Sequence, residues 1–478
     1  MFRLSVGLVV LMVAVLAQLT RLQVFQADEL NAMPGNQRTI INEYSRQRGP
    51  ILVESSEVAK SVEVEDSSLR FLREYPRGPL TASVTGFNSL VYGNTGLERA
   101  ENAVLSGDDP RLIVDRMQQL FAGRDPRGGA VTTTLNAAAQ KAAFDGLGSK
   151  VGAVVAIEPS TGRILAQAQS PSFDPTKLSS HSSKQITEYY DELTADPRKP
   201  LLNRPIAQTL PPGSTFKVVT AAAALESGQY TPQSVIPGPA TYTLPGTNTK
   251  LPNWFNGPCG TDGKVTLTEA LAMSCNTAFA WLGVQLGADA LYDMSRKMGF
   301  EESFQTPLSA AASRFPEDPD PAELAQSAIG QYDVRATSLG MAMVAAAVAN
   351  DGVTMKPNVV DQTSSPDLKP LDTFTPSQFA TAMTPEHARQ LAQMMVTTVN
   401  SGTASNARIP GVDVAGKTGT AQTSSSRPSV AWFISFAPAV NAKVAVAVCI
   451  EDAGTAEVSG NQLAAPIARA VMQAVLAG

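Results

Sequence analysis

Pro211-Pro212-Gly213-Ser214-Thr215-Phe216-Lys217 runs straight into the apolar segment Val218-Val219-Thr220-Ala221-Ala222-Ala223-Ala224-Leu225. A Pro-Pro-Gly turn followed by a serine and an alanine-rich run is a helix-start signal, so Ser214 falls at or near the first turn. Residues three apart share a helical face, which predicts Lys217 beside the Ser214 hydroxyl. The helix N-terminus adds unpaired backbone N–H groups that stabilise negative charge. A nucleophile, a base and an anion pocket therefore converge on one short stretch. Taken alone, the pattern is more often a helix cap beside a solvated lysine. Lys217 is, however, the one lysine of the chain with a serine three residues before it, and the rest of the sequence decides.

A chain of 478 residues exceeds one ordinary core and predicts two or three domains. Charged residues at 17% and hydrophobic ones at 43% describe ordinary globular material. A net charge of -6 gives no electrostatic case for nucleic acid as a partner. Two histidines, His181 and His387, and three cysteines, Cys259, Cys275 and Cys449, are present, none at metal-ligand spacing. Neither a metal centre nor a Ser-His-Asp triad is supported.

Residues 4–20 are almost continuously apolar, with Arg3 ahead and Arg21 behind. At the helical rise this stretch spans about 26 Å, slightly short of a hydrocarbon core of about 30 Å. It predicts a single membrane span, residues 1–25 forming an N-terminal anchor. The rival is a cleaved signal peptide ending near Val15-Leu16-Ala17. Both export everything that follows.

Behind the anchor a polar stretch leads to Arg48-Gly49-Pro50-Ile51, where a short strand is expected. Ser83-Val84-Thr85-Gly86-Phe87 and Leu90-Val91-Tyr92-Gly93 read as short strands or turns, and Gly96-Leu97-Glu98-Arg99-Ala100 opens a helical patch. No nucleophile–base pair occurs in residues 26–145, which read as a non-catalytic pedestal or interaction domain. Val151-Gly152-Ala153-Val154-Val155-Ala156-Ile157 and Arg163-Ile164-Leu165-Ala166-Gln167-Ala168 flank a Gly-containing turn and predict an antiparallel hairpin. Alanine-rich helical segments dominate to about residue 400, and strands return near residues 414–420, 430–436 and 444–450 before a final helix at 462–476. Strands, then helices, then strands describe an α+β domain over residues 146–478, whose sheet pairs chain-distant segments.

Two further motifs sit in this frame. Ser274-Cys275-Asn276 occupies a turn between two apolar helices, where a hydroxyl and an amide point into a cleft. Lys417-Thr418-Gly419-Thr420 lies on a late strand, and Gly419 leaves room for a substrate backbone to approach. Ser-x-x-Lys, Ser-x-Asn and Lys-Thr-Gly in this order are the set of the penicillin-recognising serine acyltransferases. On these motifs the chain resembles a class B penicillin-binding protein, of the kind found in actinobacteria as penicillin-binding protein A. The resemblance extends over nearly the whole chain, through Arg48-Gly49-Pro50-Ile51, Gly96-Leu97-Glu98, Gly123-Arg124-Asp125-Pro126-Arg127-Gly128-Gly129 and Ala431-Trp432-Phe433. One departure is Val430, where many relatives carry a polar residue.

The resemblance implies a transpeptidase/β-lactamase-like fold: a five-stranded antiparallel sheet flanked by helices, an all-helical subdomain, an elongated N-terminal α/β domain and a transmembrane helix. It implies D,D-transpeptidation of peptidoglycan stem peptides at a cell membrane, inhibition by β-lactams, and roles in cell division or cell shape beside a glycosyltransferase or other wall-synthesis proteins. No cofactor is needed. Ser214 is then the nucleophile, Lys217 the base, Ser274 a proton relay and Asn276 a holder of Lys217 and of the substrate amide. Lys417, Thr418, Gly419 and Thr420 bind the substrate, and the Ser214 and Thr420 N–H groups form the oxyanion hole. Free cysteines are unexpected in an exported chain. Cys259 and Cys275 are separated by a polar excursion and are expected to pair, with Cys449 buried on a strand. The same motifs serve a D,D-carboxypeptidase or a β-lactamase, though no water-activating glutamate is placed. A β-lactam sensor needs a cytoplasmic signalling portion, and a wall-synthesis scaffold needs no intact nucleophile.

Overall fold

The structure, a computed structural model, describes residues 2–21, 44–65, 69–121, 123, 125–421, 429–454 and 458–478. Residues 22–43, Arg124 and residues 422–428 are among those outside the described residues.

The long apolar runs form the strands expected of them. Ala415–Ala421, Val430–Ala437, Val444–Asp452, Val151–Ile157 and Ile164–Ser170 lie in that spatial order in a five-stranded sheet, antiparallel throughout. The first and last parts of the α+β domain are thereby zipped together, Val444–Asp452 pairing with Val151–Ile157. The strands are apolar on consecutive residues because both faces are covered. Val154, Ala156, Val446 and Val448 pack with residues of the Ala137–Leu147 and Ala465–Leu476 helices. Val155, Ile157, Ala445 and Ala447 face the opposite core, which holds the helical part of the domain. At its centre Ser338–Ala349 is buried from Ser338 to Val348, the burial expected of a helix that is apolar all round.

The N-terminal half holds a six-stranded mixed sheet, in the order Pro370–Thr373, Val360–Ser364, Ala130–Thr133, Ile51–Val53, Ser56–Glu63 and Phe71–Glu74. Two of its strands come from beyond the nucleophile stretch. Beneath it the Glu98 carboxylate is buried and accepts from Arg48 Nε at 2.6 Å, Arg73 Nε at 2.7 Å and Tyr75 Oη at 3.0 Å. Burial alone would raise its pKa, but the two guanidinium charges outweigh it and hold the group ionised below the ordinary value. This arrangement accounts for Arg-Gly-Pro and Gly-Leu-Glu as paired sequence features.

Two expectations change. Ser83, Val84 and Thr85 belong to the helix Gly78–Thr85, because Pro79 sits in its first turn, where a missing N–H costs nothing. Phe2–Thr20 is a helix with residues 6–20 exposed, but among the described residues no helix is long and apolar enough to cross a membrane. The expected transmembrane helix is therefore present as an exposed apolar helix and not as a full span.

Candidate active site

Ser214 lies in a single 3-10 turn, Gly213–Phe216, that hands over directly to the helix Lys217–Glu226. The turn is held from three sides. Gly213 N–H donates to Gly330 O at 2.9 Å, Thr215 Oγ1 to Pro212 O at 2.7 Å, and Trp432 Nε1 to Pro211 O at 2.9 Å. Gly213 has φ +53, and a Cβ there would stand 2.7 Å from Thr420 O. A Cβ on Gly419 would stand 2.9 Å from Pro212 O and 3.0 Å from Thr215 Cγ2. Gly419 therefore makes room for the nucleophile turn. Thr420 is exposed beside that turn, on the free edge of the sheet.

Ser274 ends the helix Leu267–Ala272 in a left-handed conformation, φ +59. Its N–H donates to Leu271 O at 3.1 Å and that of Cys275 to Ala270 O at 2.8 Å. These two bonds are the Schellman ending, a position glycine normally holds. Serine there costs about 1–2 kcal/mol of backbone strain. In return both its carbonyl and its hydroxyl meet the lysines. Ser274→Gly should be about 1 kcal/mol more stable than Ser274→Ala in urea unfolding, although both lack the hydroxyl.

Lys217 and Lys417 are fully buried. Lys217 Nζ donates to Asn276 Oδ1 at 2.7 Å and to Ser274 O at 2.8 Å, with Ser274 Oγ at 3.3 Å. Lys417 Nζ donates to Ser274 Oγ at 2.9 Å and to Thr418 O at 3.0 Å. Burial pushes the Lys217 amine well below the ordinary lysine range, and the Lys417 charge pushes it further. Burial brings Lys417 down to about 7. A neutral amine has two hydrogens and a lone pair. The two short bonds of Lys217 use both hydrogens, so its lone pair is what remains for a proton. The Ser214 hydroxyl has no hydrogen-bond partner among the described residues, and the side chain is only half-buried. Lys217 and Ser214 are thus not hydrogen-bonded to each other, and catalytic contacts of this kind commonly tighten only around a bound substrate.

Cys259 and Cys275 are joined by a disulfide, Cα atoms 6.3 Å apart, and Cys449 is free and buried on its strand. Asn253 Oδ1 receives the Thr277 N–H at 3.1 Å, Asn276 Nδ2 donates to Pro252 O at 3.3 Å, and Trp254 Nε1 donates to Met273 O at 3.0 Å. The segment around residues 250–260 is therefore stapled to the Ser274 turn. Replacing both cysteines by serine should lower unfolding free energy by about 3 kcal/mol, measured by denaturant titration without reductant.

Sequence reading missed Trp432 as the anchor of Pro211, although Ala-Trp-Phe had been noticed. It also missed Thr403, whose hydroxyl meets Thr418 Oγ1 at 2.9 Å and whose N–H donates to Ala272 O at 3.1 Å. No local pattern marks a residue whose partners lie so far away in the chain. His387 contacts Glu226 at 2.5 Å and His181 meets Phe71 O at 3.1 Å, so neither histidine joins the lysine–serine cluster. Val430 is buried and pairs with Ala421.

With this geometry in hand, residues 152–473 match the family described as penicillin binding protein transpeptidase domain. The chain belongs to the penicillin-binding protein transpeptidases. Residues 48–131 match a second family, penicillin binding protein A dimerisation domain. The chain is 46% identical over 486 residues to peptidoglycan D,D-transpeptidase PbpA of Mycobacterium tuberculosis, covering 100% of this chain and 98% of that one. It is 46% identical over 484 residues to the protein of that name from Mycolicibacterium smegmatis, at 99% and 98% coverage. Among solved structures, the ceftriaxone acyl-enzyme complex of M. tuberculosis penicillin-binding protein A is similar, with a TM-score of 0.89 and 44% identity, covering 91% of this chain and 100% of that one. A D,D-transpeptidase domain from Eggerthella lenta is also similar, with a TM-score of 0.79 and 32% identity, at 90% and 98% coverage.

Proposed function

We propose that this member of the family is a serine D,D-transpeptidase that cross-links peptidoglycan stem peptides through an acyl-enzyme on Ser214 and is acylated there by β-lactams. One observation carries this reading: a buried lysine of lowered pKa, both of its amine hydrogens committed elsewhere, stands one helical turn from a half-exposed serine.

The donor peptide lies along the free edge of Ala415–Ala421 as an added strand. Its terminal carboxylate meets Lys417, Thr418 and Thr420. Ser214 Oγ attacks the penultimate D-Ala carbonyl while its proton passes to the Lys217 lone pair. The negative oxygen that develops is met by the N–H groups of Ser214 and Thr420; the first is unpaired because the opening of a helical turn has no intrahelical acceptor. Ser274 Oγ accepts from Lys417 and lies within reach of Lys217, so its own proton is free for the departing D-Ala amine. The C–N bond breaks as that proton transfers and Ser274 recovers a proton from the Lys217 ammonium, leaving an ester on Ser214 and a neutral Lys217. An acceptor amine from a second stem peptide attacks the ester and loses its proton to the neutral Lys217; as the new amide forms, the bond to Ser214 Oγ breaks and Lys217 returns that proton to the Ser214 oxygen.

Residues 1–25 serve as the membrane anchor, 26–145 as the pedestal and 146–478 as the transpeptidase domain, with the strands at 360–373 tying the last two together. The exposed apolar helix and the disulfide support a membrane-attached protein with an extracytoplasmic catalytic domain. Partners in this reading are nascent peptidoglycan and a glycosyltransferase or other wall-synthesis protein. The test is incubation with a D-Ala-D-Ala stem-peptide thioester analogue and an amine acceptor, separating cross-linked from hydrolysed product. Cross-linked product in excess is expected; hydrolysis alone would replace transpeptidase by carboxypeptidase.

A further inference from the structure

Thr403 joins three elements that are far apart in the chain. It follows Gly402, where the helix Pro385–Ser401 ends. Its N–H donates at 3.1 Å to the carbonyl of Ala272, the last residue of the helix Leu267–Ala272 that leads into Ser274. A Cβ on Gly402 would stand 2.4 Å from the same oxygen, so glycine is what lets the two helix ends meet. The Thr403 hydroxyl then reaches the strand Ala415–Ala421, its Oγ1 lying 2.9 Å from Thr418 Oγ1 and 3.3 Å from Ala272 O. Among the described residues Thr403 is the one hydrogen-bond partner of the Thr418 hydroxyl, and Thr418 is only 9% exposed. Residues two apart on a strand share a face, which puts Thr418 on the side of the exposed Thr420.

One hydroxyl carries one proton and two lone pairs. The Thr403 proton can therefore go to Ala272 O or to Thr418 Oγ1, and the choice fixes the neighbour. Given to Ala272 O, it leaves Thr403 as the acceptor, and the Thr418 proton points back at Thr403. Given to Thr418, it frees the Thr418 proton for a group at the strand edge. A carboxylate only accepts, so at Thr418 it is met by the second arrangement alone. The change leaves no buried group unpaired: Ala272 O keeps the Thr403 N–H, and Thr418 Oγ1 gains the Thr403 proton. Hydrogen bonds in such a chain polarise and strengthen one another.

We propose that Thr403 is a positioning residue for carboxylate recognition, donating to Thr418 Oγ1 so that the Thr418 proton is turned to the terminal carboxylate of a donor peptide or β-lactam. This deepens the acyltransferase reading and rests on it. The test compares the second-order rates at which benzylpenicillin and its methyl ester acylate the full chain, since the ester keeps the reacting ring and lacks the charge. Thr403→Val, which keeps the side-chain shape without the hydroxyl, should lose about tenfold with the acid and less than about twofold with the ester. Thr403→Ser should restore the acid rate. In a Thr418→Val background, adding Thr403→Val should slow the acid no further. An equal loss with acid and ester, or a loss that persists beside Thr418→Val, would make Thr403 a structural support and overturn the proposal. So would an unchanged acid rate in Thr403→Val, or Thr403→Ser as slow as Thr403→Val. A parent chain that neither compound acylates overturns the acyltransferase reading and this proposal together.

Discussion

Ser214→Ala should abolish covalent labelling by a fluorescent penicillin while leaving the protein folded. The hydroxyl is the sole atom removed, and among the described residues nothing bonds to it, so stability should change by no more than about 0.5 kcal/mol. No neighbour can replace it. Thr215 Oγ1 is buried and donates to Pro212 O, and Ser274 Oγ is held by Lys417. A labelled gel and a thermal melt on the same sample measure both halves of the statement. Labelling that survives in a folded variant would overturn the site assignment.

Lys217→Met should slow acylation by benzylpenicillin about a thousandfold, within the range for loss of a positioned base. That is a barrier increase of about 4 kcal/mol. Methionine fills the buried volume but brings no lone pair of comparable basicity. Lys217→Arg separates base from cation, because arginine keeps the charge and stays protonated. It should be as slow as the methionine variant; rescue by arginine would show that Lys217 acts only as a positive charge. The pH profile follows from the two lysines. Lys217 must be neutral to accept a proton, so acylation falls as pH drops through its lowered pKa. Lys417 is charged below about 7 and loses its proton above, so attraction for the carboxylate of the β-lactam weakens on that side. A bell results, and Lys217→Arg should lose its acid limb. A profile flat from pH 5 to 9 would contradict both assignments.

Much of this site is legible in the chain because its parts are local. Ser214 and Lys217 are three apart at a helix start, and a Pro-Pro-Gly turn announces that start. The doubly buried strands of the central sheet are continuous apolar runs, readable as strands; the hairpin of Val151–Ile157 and Ile164–Ser170 is readable as a pair through its short turn, whereas the pairings of the later strands are not. Ser274-Cys275-Asn276 is visible as a turn, but its left-handed serine is not, since glycine would be the ordinary choice at that helix end. Ser83 to Thr85 misled because a β-branched stretch outweighed the proline that begins the helix. Gly419 reads in the chain as a place of close approach, and a group that approaches it in the structure is the nucleophile turn. Thr403 and the Trp432 bond to Pro211 left no local trace, their partners being distant in sequence.

The sequence by itself determined the order of the three motifs, the helix start at Ser214, the apolar first segment and the succession of strands, helices and strands in the later part of the chain. Each depends on spacing along a few consecutive residues, where backbone geometry decides which side chains share a face. Only the tertiary structure decided that Lys217 and Lys417 meet around one serine hydroxyl, and that both amines are drawn below their ordinary pKa. Desolvation comes from whatever else packs over a group, here the sheet, the Ser274 turn and the disulfide-stapled segment, and none of these is adjacent to Ser214 in the chain.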